Sequence, residues 1–170
     1  MEKARIELQN ISKSYYSESA VTQALRKTSL SFVHGEFVAV TGESGSGKST
    51  LLNIIGGIDS YDEGEMIVNG RPTFQYTEED WEEYRRSQAG YVFQDYSLIG
   101  HYTALDNITG ALLIMGKDKE EARNIAIKYL KKVGLEGYEA HPATELSSGQ
   151  KQRLAIARAL AKNTGIYYCR

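Results

Sequence analysis

Eight consecutive residues have the types and spacing of a phosphate-binding loop. Residues 42–49 read Gly-Glu-Ser-Gly-Ser-Gly-Lys-Ser, which matches the pattern G-x-x-x-x-G-K-[ST]. Glycines let successive backbone N–H groups point inward at an anion, and the following helix adds unpaired amides and the positive end of its dipole. The Lys48 ammonium suits the β- and γ-phosphates, and the Ser49 hydroxyl suits Mg²⁺. The predicted phosphate-binding residues are Gly42, Glu43, Ser44, Gly45, Ser46, Gly47, Lys48, Ser49 and Thr50.

The elements around this loop should position it in the order strand, loop, helix. Phe37-Val38-Ala39-Val40 is a continuous apolar run, typical of a strand buried on both faces. Residues 48–55 have the pattern of a helix. The alternative is a chance match to the loop pattern within an ordinary turn. The beginning of a βαβ unit at this point favours the phosphate site.

The rest of the chain alternates between strand and helix patterns. We predict strands at residues 6–16, 30–33, 66–68, 91–93 and 166–169. Helices are predicted from a Thr77 cap to about residue 88, from Thr103 onward, and from about residue 149 to 162. A further amphipathic stripe comprises Ala122, Ile125, Ala126, Tyr129, Leu130 and Val133, and Gly134 follows it as a C-cap.

The bulk composition excludes several classes of protein. Of the 170 residues, 41% are hydrophobic and 25% are charged, which is ordinary globular composition. A net charge of −2 gives no reason to expect a nucleic-acid partner. No apolar run approaches the length of a membrane span, the start lacks a signal peptide, and the single cysteine fits a reducing compartment. We therefore expect a cytoplasmic protein whose role at a membrane, if any, depends on a partner.

A second motif, Leu146-Ser147-Ser148-Gly149-Gln150, narrows the class. It resembles the signature sequence of ABC ATPases, usually L-S-G-G-Q, and the basic helix that follows it also resembles that family. At a helix N-terminus, small residues let backbone amides and a serine hydroxyl approach a γ-phosphate. Alone, the segment would be interpreted as an ordinary serine-capped helix. The upstream phosphate loop favours the ABC interpretation, and a P-loop kinase or GTPase would leave the signature segment unexplained.

The resemblance also implies roles for two residues outside these motifs. Tyr91-Val92-Phe93-Gln94-Asp95 resembles the Q-loop, in which Gln94 would contact Mg²⁺ and the attacking water. Without the resemblance, Gln94 would be interpreted as a solvated loop residue. Ser14-Tyr15 resembles the A-loop, whose aromatic ring stacks on adenine. Tyr15 is preferred over the adjacent Tyr16, although a packing role is possible for either. The implied metal ligands are Ser49 and Gln94, and the implied catalytic residues are Lys48 and Gln94.

For the whole chain, the resemblance implies an α/β fold with a P-loop NTPase core, an N-terminal antiparallel β region and a helical subdomain. It implies one nucleotide-binding domain, divided into residues 1–94 (β region and P-loop core), 95–150 (helical subdomain) and 151–170 (return to the core). ATP and Mg²⁺ are the implied cofactors. The implied partners are a second copy and a membrane permease, which would hold the protein at the inner face of the membrane. Segments 56–59, 64–70 and 94–98 are most similar to the ATPases of bacterial exporters for macrolides, lipoproteins and antimicrobial peptides.

One position departs from the family pattern. In the family, the strand after the signature helix ends in an aspartate that holds Mg²⁺, and the catalytic glutamate follows it. Here residues 166–169 are followed by Arg170, and neither that glutamate nor the switch histidine is present. Arg170 is either a compensating cation for phosphate or the result of an altered chain end, such as a frameshift, which is the preferred explanation. We therefore expect a C-terminally truncated chain with impaired hydrolysis. The alternative to a transporter ATPase is a module that binds ATP without hydrolysing it.

Overall fold

The structure of the protein is a computed structural model that describes residues 5–18 and 20–169. These residues form two units, divided between Glu82 and Glu83. The first unit contains an antiparallel sheet and a helix, and the second contains a helical bundle and a pair of parallel strands. The predicted division into residues 1–94, 95–150 and 151–170 stays a prediction.

The first unit is built on a four-stranded antiparallel sheet. Its strands are β1 (Ile6–Tyr16), β2 (Val21–Phe32), β3 (Glu63–Val68) and β4 (Arg71–Pro72), arranged in the order β2-β1-β3-β4. Asn69 and Gly70 both have positive φ angles, as a tight hairpin turn requires, and connect β3 to β4. The strands predicted at 6–16, 30–33 and 66–68 are confirmed, and β2 begins nine residues earlier than the pattern indicated.

The core of the first unit is formed by alternate residues of β1 and β3 and by one face of a helix. Helix α1 spans Lys48–Ile55, as predicted. Apolar residues on alternate positions of a strand share one face, and here that face is buried. The buried side chains of this unit include Ile6, Leu8, Ile11, Leu51, Ile54, Ile55, Met66 and Val68.

The prediction of a buried strand at residues 37–40 is wrong. This segment is not part of any strand in the described structure, and Phe37 is 97% exposed and Val40 37% exposed. An apolar run indicates that a segment favours burial. A buried strand also needs neighbouring strands whose backbone groups form hydrogen bonds with its own N–H and C=O groups. The sheet of the first unit is formed by β1 to β4, and none of them pairs with residues 37–40. The local sequence pattern does not show whether such a pairing strand is present.

Residues 78–88 are helical. Helix α2 spans Glu78–Glu83, and a π-helical turn continues it over Tyr84–Gln88, so the predicted end near residue 88 is confirmed. The Thr77 cap is also confirmed, because the Thr77 hydroxyl accepts a 3.2 Å hydrogen bond from the Asp80 amide. In return, the Asp80 carboxylate accepts one of 2.9 Å from the Thr77 amide. This reciprocal pair satisfies two donors at the start of the helix.

Three helices form the bundle of the second unit: α3 (Ala104–Ile114), α4 (Lys119–Lys132) and α5 (Ser148–Ala161). Each begins at a side-chain cap, from Thr103, Asp118 and Ser147 respectively. The predicted stripe of α4 faces the core, and Gly134 has the positive φ of a C-cap residue. The buried core consists of Ala104, Leu105, Ile108, Leu112, Ala122, Ala126, Leu130, Leu135, Ala143, Leu146, Leu154, Ala157 and Ala161.

Two parallel strands complete the second unit. Strand β5 (Ala89–Val92) pairs with β6 (Ile166–Cys169), from Ala89 opposite Ile166 to Val92 opposite Cys169. The hydroxyls of Tyr84 and Tyr168 are hydrogen-bonded at 2.9 Å and buried. The strand predicted at 91–93 therefore starts two residues earlier and ends before Phe93. Arg170 lies outside the described residues. In the part of the chain that the structure describes, no helix combines the length and apolarity needed to cross a membrane.

Helix α4 offers a matched test of this core. Leu130 is completely buried and Ile127 is 37% exposed on the same helix. We expect Leu130→Ala to lower the free energy of unfolding by about 2–5 kcal/mol, because it removes buried methyl groups and leaves a cavity. Ile127→Ala should cost less than about 1 kcal/mol, since most of its environment is solvent. Chemical denaturation measures both, and equal losses would contradict the assignment of the buried face.

Candidate functional site

The phosphate loop is curled around the side chain of its own lysine. The Lys48 ammonium donates hydrogen bonds to the carbonyl oxygens of Gly42 (2.8 Å) and Glu43 (2.6 Å), and a weaker one of 3.3 Å to the Ser46 hydroxyl. These bonds involve a full charge and are stronger than those between neutral groups. The loop is therefore not extended, and its only cationic group points back towards its first residues.

Helix α1 starts directly after this loop without a side-chain cap. Its N-cap is Gly47, with φ +87° and ψ 2°, and the Leu51 amide makes the first helical hydrogen bond to the Gly47 carbonyl at 2.8 Å. A Cβ atom at Gly47 would lie 2.3 Å from the carbonyl oxygen of Ala24, so only glycine lets β2 pass this close to the helix start. An uncapped N-terminus has amides without intrahelical acceptors and a partial positive charge, which together suit an anion.

Tyr15 lies near the end of β1 and is brought next to this helix. Its hydroxyl donates to the Asp59 carboxylate at 2.7 Å and lies 3.4 Å from the Thr50 hydroxyl. Burial and the neighbouring Asp59 raise the pKa of the Tyr15 phenol, so it stays a donor at neutral pH. Tyr15 is 41% exposed and the adjacent Tyr16 is 77% exposed. The structure thus places Tyr15 and Thr50, two of the predicted site residues, in contact.

Gln94 lies in the second unit, on an exposed turn after β5. Within that turn, Tyr96 and Ser97 both have positive φ angles, which are unfavourable for residues with side chains. The guanidinium of Arg158, on α5, donates to the carbonyl of Tyr96 at 2.8 Å and to that of Ser97 at 2.6 Å. Arg158 therefore holds the turn that carries Gln94 against α5.

Sequence reasoning missed the role of Arg158, although a signal was present. Arg158 follows Leu154 by four positions and precedes Ala161 by three, so it lies within the buried stripe of α5. A charged residue in such a stripe needs hydrogen-bonding partners to compensate for its burial. Burial lowers the pKa of the guanidinium, and the Asp95 carboxylate opposes that shift. An arginine in an apolar stripe therefore indicated hydrogen bonds to a neighbouring loop. We call the two bonds from Arg158 to the carbonyl oxygens of Tyr96 and Ser97 the Arg158 clamp.

The signature segment forms the start of α5. The Ser147 hydroxyl accepts a 3.3 Å hydrogen bond from the backbone N–H of Gln150. In return, the side-chain oxygen of Gln150 accepts one of 2.8 Å from the backbone N–H of Ser147. The serine-capped helix considered from the sequence is therefore present. Ser148 and Gly149 follow as exposed residues of the first turn. The closest atom to a Cβ at Gly149 would be Arg153 Nη1 at 3.9 Å, so the fold of this chain does not itself require glycine there.

Comparisons with known proteins agree with this fold. The family model described as ABC transporter matches residues 25–169. Two similar solved structures are both of the ATP-binding cassette MJ0796, described as a bacterial ABC transporter cassette. One is a dimer in a post-hydrolysis state bound to ADP and Pi, with 39% sequence identity and a TM-score of 0.90. The other is also dimeric, with 40% identity and a TM-score of 0.90. Each alignment covers 96% of this chain and 72% of the MJ0796 chain.

The chain belongs to the ABC transporter family and is by family an ABC-type ATPase. The predicted family and the α/β P-loop NTPase fold with an antiparallel β region are confirmed. The similarity to exporters of macrolides, lipoproteins and antimicrobial peptides stays a prediction. So do the roles of the individual site residues, including the assignment of Ser49 and Gln94 to Mg²⁺.

The Arg158 clamp leads to a test that needs no nucleotide. We expect Arg158→Leu to increase hydrogen exchange at the amides of residues 94–98 by about tenfold, because the two carbonyl contacts are lost while the apolar stem is kept. Arg153→Leu, on the exposed face of the same helix, is the control and should leave that exchange unchanged. Unchanged exchange in the Arg158 variant, measured by mass spectrometry, would show that the clamp does not hold the turn.

Proposed function

We propose that this chain binds Mg-ATP through residues 42–50 and acts as the ATP-binding subunit of an ABC transporter. The observation that carries the proposal is the Lys48 ammonium, held inside the curled loop by two carbonyl oxygens next to the uncapped start of α1. A triphosphate would offer the ammonium better acceptors than neutral carbonyls, because its oxygens are charged. The loop and helix start would then supply backbone N–H donors to the same phosphates.

The donors in the first unit fit a magnesium nucleotide. The hydroxyl of Ser49 stands in the first turn of α1, where the loop pattern places the metal-binding hydroxyl. Oxygen ligands of this kind suit Mg²⁺, which when bound neutralises phosphate charge and helps to align the phosphates. Lys48 would add a positive charge at the phosphates, and Tyr15 would receive the adenine on its ring. Gln94, in the second unit, is the proposed residue for orienting the attacking water.

The signature segment is proposed to bind the nucleotide of a second copy of this chain. Ser148 and Gly149 are exposed at the tip of α5, and the chain's own packing leaves room for a side chain at Gly149. A glycine that the fold does not need is consistent with close approach by another molecule. The MJ0796 cassettes are dimeric, which supports a homodimer here as well. Ser148 replaces the second glycine of the usual signature and should narrow the clearance without closing the site.

In the family, such dimers power transport through a membrane permease, and we propose the same coupling here. The chain would then work in the cytoplasm, at the inner face of the membrane, attached through the permease. Export is the proposed direction, on the basis of the resemblance of segments 56–59, 64–70 and 94–98 to exporter ATPases. ATP binding would close the dimer, and release of the phosphate would open it.

Removing the lysine tests the nucleotide site. We expect Lys48→Ala to weaken ATP binding at least tenfold by calorimetry, about the loss expected for hydrogen bonds to a charged group. Sedimentation of the same samples should show dimers for the unaltered chain with ATP and monomers for the variant. Lys119→Ala, an exposed lysine at the start of α4, is the matched control and should behave like the unaltered chain. If Lys48→Ala keeps full ATP affinity, the loop assignment fails.

One residue favours a second function, in which the chain binds ATP without hydrolysing it. In the sequence, Arg170 occupies the position where the resemblance places the metal-holding aspartate, and an arginine side chain has no oxygen ligand to offer Mg²⁺. We expect the 170-residue chain to bind ATP but to hydrolyse it close to the rate of its Lys48→Ala variant, which sets the background. Phosphate release well above the rate of the Lys48→Ala variant would contradict this second function.

A further inference from the structure

A buried lysine lies behind the ring of Tyr15. Lys13 is only 7% exposed, and its ammonium lies 3.2 Å from Asp59 Oδ1, 3.7 Å from Asp62 Oδ1 and 3.3 Å from the Ser60 hydroxyl. A buried ammonium is costly unless it is paired and hydrogen-bonded, and here two carboxylates and a hydroxyl supply that compensation. The charge of Lys13 is therefore fixed in place under the surface of the first unit.

This ammonium occupies one face of the Tyr15 ring. Lys13 Nζ lies over the ring at 5.4 Å from its centroid, within the range of a cation–π contact. Tyr15 as a whole is nevertheless 41% exposed, so it keeps surface that a ligand can contact. A flat ligand that stacks on Tyr15 must therefore use the side away from Lys13.

The same cluster fixes the orientation of the ring. Asp59 binds Lys13 through Oδ1 and accepts the Tyr15 hydroxyl through Oδ2 at 2.7 Å, so one carboxylate ties both side chains together. Asp62 accepts a 2.6 Å hydrogen bond from the Ser14 amide, which holds the backbone immediately before the ring. Although burial raises the pKa of Asp59, the hydrogen bonds from Tyr15 and Lys13 outweigh it and lower the pKa below its ordinary value. Asp59 is therefore charged at neutral pH.

We propose that Lys13 and Asp59 are positioning residues for Tyr15. They hold its ring in the orientation in which the face away from Lys13 can stack on the nucleobase. The proposal rests on the proposed ATP site and adds to it a requirement for the tyrosine hydroxyl. Stacking alone would need only an aromatic ring, so phenylalanine would serve equally well. A ring that is already held in its binding orientation loses less conformational entropy when the base arrives, and this gain depends on the hydroxyl.

The experiment compares two ligands that share the phosphates and differ in the base. Calorimetry gives the dissociation constants of ATP and of inorganic tripolyphosphate, both with Mg²⁺. The tripolyphosphate constant divided by the ATP constant reports the contribution of the base. We expect Tyr15→Phe and Asp59→Ala each to reduce this ratio by about threefold to tenfold, the value of a hydrogen bond. Tripolyphosphate affinity should not change, which also shows that each variant is folded. Tyr16→Phe, which alters the neighbouring exposed ring, should change neither constant.

A double variant shows whether Asp59 acts through the Tyr15 hydroxyl or by an independent structural effect. If Asp59 acts through the Tyr15 hydroxyl, Tyr15→Phe combined with Asp59→Ala should reduce the ratio no further than either change alone. An unchanged ratio in Tyr15→Phe, or fully additive losses in the double variant, would overturn the proposal. Equal affinity of the unaltered chain for ATP and tripolyphosphate would also overturn it while leaving the phosphate site intact. Failure to bind tripolyphosphate at all would instead contradict the proposed function itself.

Discussion

The described conformation of residues 42–48 depends on the contact between the Lys48 ammonium and the carbonyl oxygens of Gly42 and Glu43. A loop rich in glycine loses much conformational entropy when it is held in one shape. The ammonium compensates for part of that loss by binding two carbonyls of the same loop. In the proposed site, a phosphate chain would replace these carbonyls as acceptors, so binding would exchange weaker hydrogen bonds for stronger ones.

Each proposed binding element stands where a regular element starts or ends. The phosphate loop precedes α1, the signature segment caps α5, Tyr15 lies near the end of β1, and Gln94 follows β5. Helix starts supply unpaired amides, and strand ends place side chains outside the sheet, so both give ligands access to groups that are rigidly held. Charged side chains fix the more irregular segments: Arg158 holds the turn after β5, and Lys13 and Asp59 hold the ring of Tyr15.

Local signals in the sequence predicted most of the regular elements. Alternation located β1 and β3, the Thr77 cap located α2, and the loop pattern located the start of α1 at Lys48. Residues 37–40 were predicted incorrectly because strand formation requires a pairing partner, which a local pattern does not report. The Lys13 cluster was missed for a related reason. It joins side chains 47 positions apart, Lys13 and Ser60, and neither lies in a recognisable motif. Contacts between distant segments follow from packing, whereas caps and turns follow from neighbouring residues.

We propose above that residues 42–50 form an anion site with Lys48 as its cation. Nuclear magnetic resonance of the isotope-labelled chain during titration with magnesium tripolyphosphate tests it most directly, because each amide reports separately. We expect the largest shifts at the amides of residues 43–50, and we expect the Lys48 ammonium signal to move with them. Saturable binding that shifts amides elsewhere and leaves residues 43–50 unaffected would contradict it.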